Sequence, residues 1–201
     1  MKLKDMKQAV AMLVDEWDLG KKSSGSTGNI CGWIYLMEIL ECSEKILYFK
    51  ENGKLVGFCG YSKYNSKKYL LRKTFYKLIK KLLMNSGKIK NKEELKKYSE
   101  NYEYTPNELK NHFDGEISIL IINKDYRGKG IGKKLLFDVF ALAKKDKIRN
   151  LQILSDESCN YKFYENCGCE IIYQTIVENL EYNNLGKKVT CEKAYIYEKI
   201  L

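Results

Sequence analysis

The chain has 201 residues, 44% of them apolar, and a formal charge of +10. That length suits one domain with a sizeable core and leaves little room for a second, and no segment approaches the roughly 18 consecutive apolar residues of a membrane span. The opening Met1-Lys2-Leu3-Lys4-Asp5-Met6-Lys7 has no signal-peptide apolar core, so the expected setting is cytoplasmic, with no membrane partner.

In chain order, apolar residues recur at helical spacing in 6–18 and again in 30–42, with the Gly/Ser-rich stretch 20–28 between them. Such a break between helices is expected to border a cleft. Residues 45–61 hold two apolar runs joined by Glu51-Asn52-Gly53, the turn chemistry of a hairpin with antiparallel strands. Residues 62–113 interrupt this pattern: Tyr69, Phe75, Leu78, Ile79, Leu82 and Leu83 fall at helical spacing among lysines, and a polar stretch follows. This segment reads as a basic, partly helical insertion in a single 1–201 domain.

After it, Glu116-Ile-Ser-Ile-Leu-Ile-Ile122 is a β-branched run suited to a buried central strand, and it feeds directly into Arg127-Gly128-Lys129-Gly130-Ile131-Gly132. A helix is predicted from there, with Ile131, Leu135, Val139, Leu142 and Ala143 on one face and Lys144, Lys145 and Lys147 at its negative end. A second unit follows: a strand at 151–154, a polar turn at 155–158, a short helix through Tyr164 and a stop at Cys167-Gly168. Strands at about 170–178 and 193–200 complete a mixed α/β architecture.

Several signals exclude other chemistry. The seven cysteines are odd in number and scattered, which argues against a secreted disulfide framework and fits a reducing compartment. Cys167-x-Cys169 has no second close pair, and His112 is the only histidine, so no metal is expected. Nearly all the positive charge is lysine, with arginine only at 72, 127 and 149. Because base reading leans on arginine, nucleic acid is not the favoured partner, and the charge reads as part of a wider Lys/Asn/Ile/Tyr bias.

The glycines at 128, 130 and 132 let backbone approach an anion closely, and the amides of a helix start with its positive dipole end suit a pyrophosphate. Arg127, Lys129 and Lys133 add charge. The spacing is not the dinucleotide Gly-x-Gly-x-x-Gly, and Lys133-Lys134 lacks the Ser/Thr of a nucleotide P-loop.

These residues resemble the GCN5-related N-acetyltransferases, whose Arg/Gln-x-x-Gly-x-Gly/Ala signature appears as Arg127-Gly128-Lys129-Gly130-Ile131-Gly132. A second family motif is matched downstream by Phe163-Tyr164-Glu165-Asn166-Cys167-Gly168. The resemblance implies a mixed, strongly twisted sheet flanked by helices, binding acetyl-coenzyme A in a split between two central parallel strands. It further implies direct acetyl transfer from the thioester to an amine in a ternary complex, with no covalent enzyme intermediate. The loop Arg127–Lys133 would hold the pyrophosphate, and strand-end backbone near Leu120 and Ile122 the pantetheine and thioester. Tyr164 would protonate the leaving thiolate and Glu116 would serve as base. Where the family often carries asparagine, seven residues before the tyrosine, Glu157 stands, and Asn160 becomes the pantetheine candidate. The acceptor is expected to be a small-molecule or protein amine, and a homodimer is possible in this family. The competing readings are a non-catalytic acyl-coenzyme A sensor and a polyanion-binding module built on the lysine-rich insertion.

Overall fold

In a computed structural model, residues 1–19, 27–87, 89, 104–109, 111–183 and 186–201 are described, without the side chains of 27 and 178–190. Two helices open the chain, α1 (Leu3–Glu16) and α2 (Thr27–Cys42), followed by β1 (Lys45–Glu51) and β2 (Lys54–Lys63). Then come α3 (Leu70–Met84), β3 (Gly115–Ile122), a 3-10 turn at Lys124–Tyr126, α4 (Ile131–Lys145), β4 (Asn150–Asp156), the single turn α5 (Lys162–Glu165), β5 (Glu170–Asn183) and β6 (Gly186–Ile200). The predicted break at 20–28 lies mostly outside the described residues, as does much of the second half of the insertion.

The six strands form one mixed sheet in the order β1-β2-β3-β4-β6-β5. All neighbours are antiparallel except β3 and β4, which run parallel and pair only at Gly115–Leu151 and Glu116–Gln152. Beyond those two positions the central strands part. Every other ladder is longer, so the sheet is two antiparallel halves joined at one end of their shared boundary.

Helices cover both faces of the sheet around β2 and β3. On one face α4 buries Ile131, Leu135, Leu136, Val139, Phe140 and Ala143 against Val56, Cys59 and Tyr61 of β2 and Leu151 and Ile153 of β4. On the other, Ala9, Val10 and Leu13 of α1 and Leu36, Met37 and Leu40 of α2 cover Phe58 of β2 with Ile119 and Ile121 of β3. Central strand β2 is therefore buried on both sides, as its near-continuous apolar run requires.

A bulge in β3 divides that strand between the two faces. Gly60 pairs with Ile119 and Tyr61 with Ile117, leaving Ser118 as the extra residue. The pleat slips by one position there, so Ile117 lies in the α4 cluster whereas Ile119 lies in the α1–α2 cluster. Ser118 is held in place by Ser43: the Ser43 hydroxyl spends its one proton on the Ile39 carbonyl (2.6 Å), so Ser118 is the donor in the 2.6 Å contact between the two hydroxyls.

Asp146, at the end of α4, ties that helix to the sheet edge. Its carboxylate accepts from Tyr61 Oη at 2.6 Å and pairs with Lys45 at 2.8 Å. Those partners hold its carboxyl below the ordinary aspartate range, Lys45 first and Tyr61 second.

Two boundaries differ from the sequence reading. β4 runs on through Ser155 and Asp156, since both sit in the ladder with β6 opposite Tyr195 and Ala194. The terminal strands are also longer than predicted, because residues 176–183 and 186–193 pair with each other beyond the rest of the sheet, and a two-strand ribbon needs no apolar pattern to be registered by its turn.

Gly115 sits at the junction of the halves, and a Cβ built on it would lie 2.2 Å from the Ser62 carbonyl oxygen of β2. Gly115→Ala is expected to lower the unfolding free energy by about 2 kcal/mol or more, because relief requires moving one strand off another. A shift in the urea midpoint measures this, and an unchanged midpoint would contradict the close approach.

Candidate functional site

The loop after β3 is built for close approach of a ligand. Gly128 and Gly130 adopt φ of +77° and +75°, a region that side chains rarely enter, and nothing lies within 4 Å of where a Cβ would stand on either. Gly130 caps α4, and the first helical amide with a partner four residues back is that of Lys134, bonded to the Gly130 carbonyl at 3.0 Å. The amides before it have no acceptor within the helix, as at any helix start. Amides so placed, with the dipole's positive end, are suited to an anion, which makes the loop a candidate anion cradle.

The charges around the cradle are arranged differently from the simplest sequence expectation. Arg127 does not extend over the loop: its Nε donates to the Ile122 carbonyl at 3.1 Å, and its guanidinium pairs with Glu16 at the end of α1. Lys124 likewise pairs with Asp15 at 2.7 Å. Lys129 lies 4.8 Å over the Tyr126 ring and Lys133 5.8 Å over the Phe137 ring, both exposed at the loop.

The two sequence motifs meet. A Cβ on Gly132 would stand 3.4 Å from Ile122 Cγ1 and 3.6 Å from Phe163 Cζ, so the third glycine of the loop packs against the strand end and the first residue of the second motif. The next residue, Tyr164, is half-buried against the α4-side core, with its ring 5.4 Å from Phe163 and 5.5 Å from Tyr197. Burial pushes its phenol well above the ordinary tyrosine range, with smaller contributions from Cys59 and Cys159. A phenol so placed keeps its proton at neutral pH. Asn160, just before α5, is exposed, and its carbonyl accepts from the Phe163 amide at 3.1 Å.

Leu120 and Ile122 stand on the parted segment of β3, half-buried and packed toward α4. Glu116 lies at the other end of the strand, about 20 Å from Ile122 at the usual rise per residue. It is half-buried where β3 and β4 are still paired, and its carboxylate accepts from Ser62 Oγ at 3.1 Å and Tyr64 Oη at 3.0 Å.

The hydrogen-bond network behind Glu116, through Tyr64, Gln152 and Thr105, escaped the sequence reading. Tyr64 Oη is also 3.1 Å from the amide of the buried Gln152, which in turn contacts Thr105 Oγ1. One phenolic proton cannot serve both Glu116 and a Gln152 oxygen. With the Gln152 amide turned so that its nitrogen faces Tyr64, every group has a partner: Thr105 donates to Gln152, Gln152 to Tyr64, and Tyr64 to Glu116. Burial and then the Glu116 carboxylate push the Tyr64 phenol above its ordinary range, which keeps it a donor. Nearby Tyr104 Oη donates to the Ser155 carbonyl at 3.1 Å, so residues 104 and 105 of the insertion close against β4. The antiparallel pairing of β2 with β3 and the parallel pairing of β3 with β4 bring these positions together, and no local spacing announces it.

His112 is exposed, 2.7 Å from Glu198, which stands opposite Gln152 in the β4–β6 ladder. An open cleft of about 1040 Å³ lies between α1, the start of α2 and the end of β3, walled by Gln8, Asp15, Asn29, Trp33, Asn123 and Tyr126 among others. Glu116, Tyr64 and Tyr164 do not line it. Among the described residues no group of His, Cys, Asp or Glu could hold a metal, all seven cysteines are free, and no helix is long and apolar enough to cross a membrane.

A family model described as an acetyltransferase (GNAT) domain matches residues 98–170, a span that takes in Glu116, the glycine loop and Tyr164. The segment that carries both sequence motifs is therefore similar to a GNAT acetyltransferase domain. Its fold is shared with solved structures across its whole length. An N-acetyltransferase from Staphylococcus aureus Mu50 aligns at TM-score 0.55 and 19% identity over 100% of this chain and 94% of that one. A ribosomal-protein-alanine N-acetyltransferase from Brucella melitensis aligns at 0.56 and 15%, over 100% and 97%. A protein from Pyrococcus horikoshii OT3 aligns at 0.58 and 17%, over 100% and 94%. At these identities the likeness is one of fold. A comparison with curated protein sequences finds no match.

Tyr64→Phe removes the phenol that joins Glu116 to Gln152. It is expected to lower the unfolding free energy by about 1–2 kcal/mol, since it leaves a buried amide and a carboxylate short of a partner. A urea-denaturation cycle with Glu116→Gln should return a coupling of at least about 0.5 kcal/mol, and strict additivity would break the proposed link.

Proposed function

We propose that this domain transfers an acetyl group from acetyl-coenzyme A to an amine, within one ternary complex and without an acyl-enzyme. The observation that carries this reading is the parting of β3 from β4 immediately beyond Glu116 and Gln152, with the anion cradle at the open end and a hydrogen-bonded carboxylate at the closed end.

The donor fits that layout. Amides of the 128–133 segment would hold the pyrophosphate, with Lys129 and Lys133 adding charge from side chains that can swing off their rings. The pantetheine arm would run along the unpaired edge of β3, where Leu120 and Ile122 offer backbone groups that no β4 partner uses, and Asn160 would stand beside it. Bound there, the thioester supplies an activated acetyl group.

Glu116 would take the proton released when the amine nitrogen forms its bond to the thioester carbonyl, directly or through a water. Ser62 and Tyr64 hold its carboxylate in place. Tyr164 would give its phenolic proton to the sulfur as the carbon–sulfur bond breaks, a task that its burial supports by keeping that proton on. Proton uptake and release are thereby divided between two separately positioned groups. The acceptor would be a small-molecule amine or an amine on a protein, and the two halves of the sheet with the insertion would act as one domain.

Calorimetric titration with acetyl-coenzyme A tests the reading, with truncated pantetheine as the control for the part that is held. Pyrophosphate-dependent binding is expected. Gly130→Asp should weaken it by at least about tenfold, or about 1.4 kcal/mol, by placing a carboxylate in the cradle. Retained affinity in that variant would remove the loop assignment, and no binding by the unaltered chain would remove the function.

Tyr164→Phe should leave the coenzyme affinity unchanged and lower kcat by about a hundredfold or more, the usual worth of a positioned acid. Unchanged turnover would show that Tyr164 only packs, and would leave the coenzyme site itself standing.

A further inference from the structure

The insertion helix α3 has two faces with different uses. Tyr76, Ile79 and Leu83 pack onto the α1–α2 cluster, Arg72 donates to the Ser43 and Glu44 carbonyls, and Lys80 pairs with Glu41 at 2.7 Å. A neighbouring side, about a quarter-turn round the helix, carries Leu71, Phe75, Leu78 and Leu82 at a four-three-four spacing, which aligns them in one stripe. They are 89%, 57%, 55% and 63% exposed, and no residue of α3 is fully buried.

The helix is basic throughout. It holds Arg72, Lys73, Lys77, Lys80 and Lys81 with no acidic residue, and Lys67 and Lys68 precede it. Lys73 and Lys80 are engaged by Glu44 and Glu41, whereas no ion pair joins Lys77 or Lys81 to an acid among the described residues. At 100° per residue these two lysines flank the apolar stripe on the side away from α2. Four large apolar side chains in line, bordered by ammonium groups that have no acid partner among the described residues, call for an occupant that accepts both.

Area and charge choose among occupants. The stripe is about 17 Å long and one helix wide, so its four side chains offer well under the ~800 Å² of accessible surface that each partner gives to a stable protein interface. A second copy of this chain would also bring one +10 surface toward another. A nucleic-acid backbone would satisfy the lysines and leave the leucines in water. An anionic bilayer surface satisfies both: the apolar stripe enters the headgroup–acyl boundary and the lysines meet the lipid phosphates.

We propose that α3 is a peripheral membrane-docking helix that lies on anionic lipid through Leu71, Phe75, Leu78 and Leu82, with Lys77 and Lys81 at the headgroups. This attachment along the surface departs from the sequence expectation of no membrane partner, which rested on the lack of an apolar run long enough to span a bilayer, and it does not depend on the acyl-transfer reading.

The full chain is sedimented with vesicles of phosphatidylcholine and with vesicles that include phosphatidylglycerol. Binding to the anionic vesicles is expected to be at least about tenfold stronger, given the two exposed lysines beside the stripe. The charge-neutral double variant Phe75→Ser, Leu78→Ser should lose that binding by about tenfold or more while its circular dichroism and melting stay unchanged. Lys77→Gln with Lys81→Gln should erase the preference for the anionic lipid.

Equal vesicle binding by the serine variant and the unaltered chain would overturn the proposal, because charge elsewhere would then account for it. So would absence of binding to anionic vesicles. A dimer seen by light scattering that the serine substitutions dissolve would assign the stripe to a second copy instead, and salt-sensitive duplex binding without vesicle binding would assign the lysines to nucleic acid.

Discussion

The incomplete pairing of β3 with β4 is the constraint on which the remaining architecture depends. Two parallel strands at the centre of a sheet would ordinarily satisfy each other's backbone groups along their length. Here only Gly115–Leu151 and Glu116–Gln152 do so, and the freed edges become available to a ligand. The cost of such an opening is met by rigidity on either side. β2 is buried on both faces, α4 spans the boundary by packing on both β2 and β4, and Asp146 binds the end of α4 back to β1 and β2 through Lys45 and Tyr61.

The bulge at Ser118 works with that opening. It turns Leu120 and Ile122 toward α4 while Ile119 and Ile121 stay with α1 and α2, so the parted edge remains anchored from both faces. The hydroxyl chain from Ser118 through Ser43 to the Ile39 carbonyl ties the irregularity to the end of α2. The proposed coenzyme site is therefore largely backbone held by packing, whereas the proposed proton transfers rest on the side chains of Glu116 and Tyr164.

That explains which parts could be read from residues alone. The hairpin at Asn52-Gly53, the amphipathic face of α4 and the glycine loop are local patterns, and local chemistry specifies them. The junction of Gly132 with Phe163 was implied only by the order of two motifs. Tyr64, Gln152 and Thr105 come from three separate segments and share no spacing with Glu116, so they become visible only with strand register. Arg127 shows a different kind of gap: its place beside the loop was legible, but its partner Glu16 lies more than a hundred residues earlier, on a helix whose docking no periodicity specifies.

The pairing of Arg127 with Glu16 has a thermodynamic corollary. The carboxylate at the end of α1 already occupies a guanidinium beside the cradle, as an internal anion. An external anion that takes Arg127 must displace it, leaving the end of α1 tied to this region through Asp15 and Lys124. By linkage the reverse holds with the same free energy, so whatever draws Glu16 away from Arg127 raises the loop's affinity for anions. The chain thus holds an ionic-strength-sensitive coupling between its first helix and its glycine loop, carried by exposed charges and weakened as salt screens them.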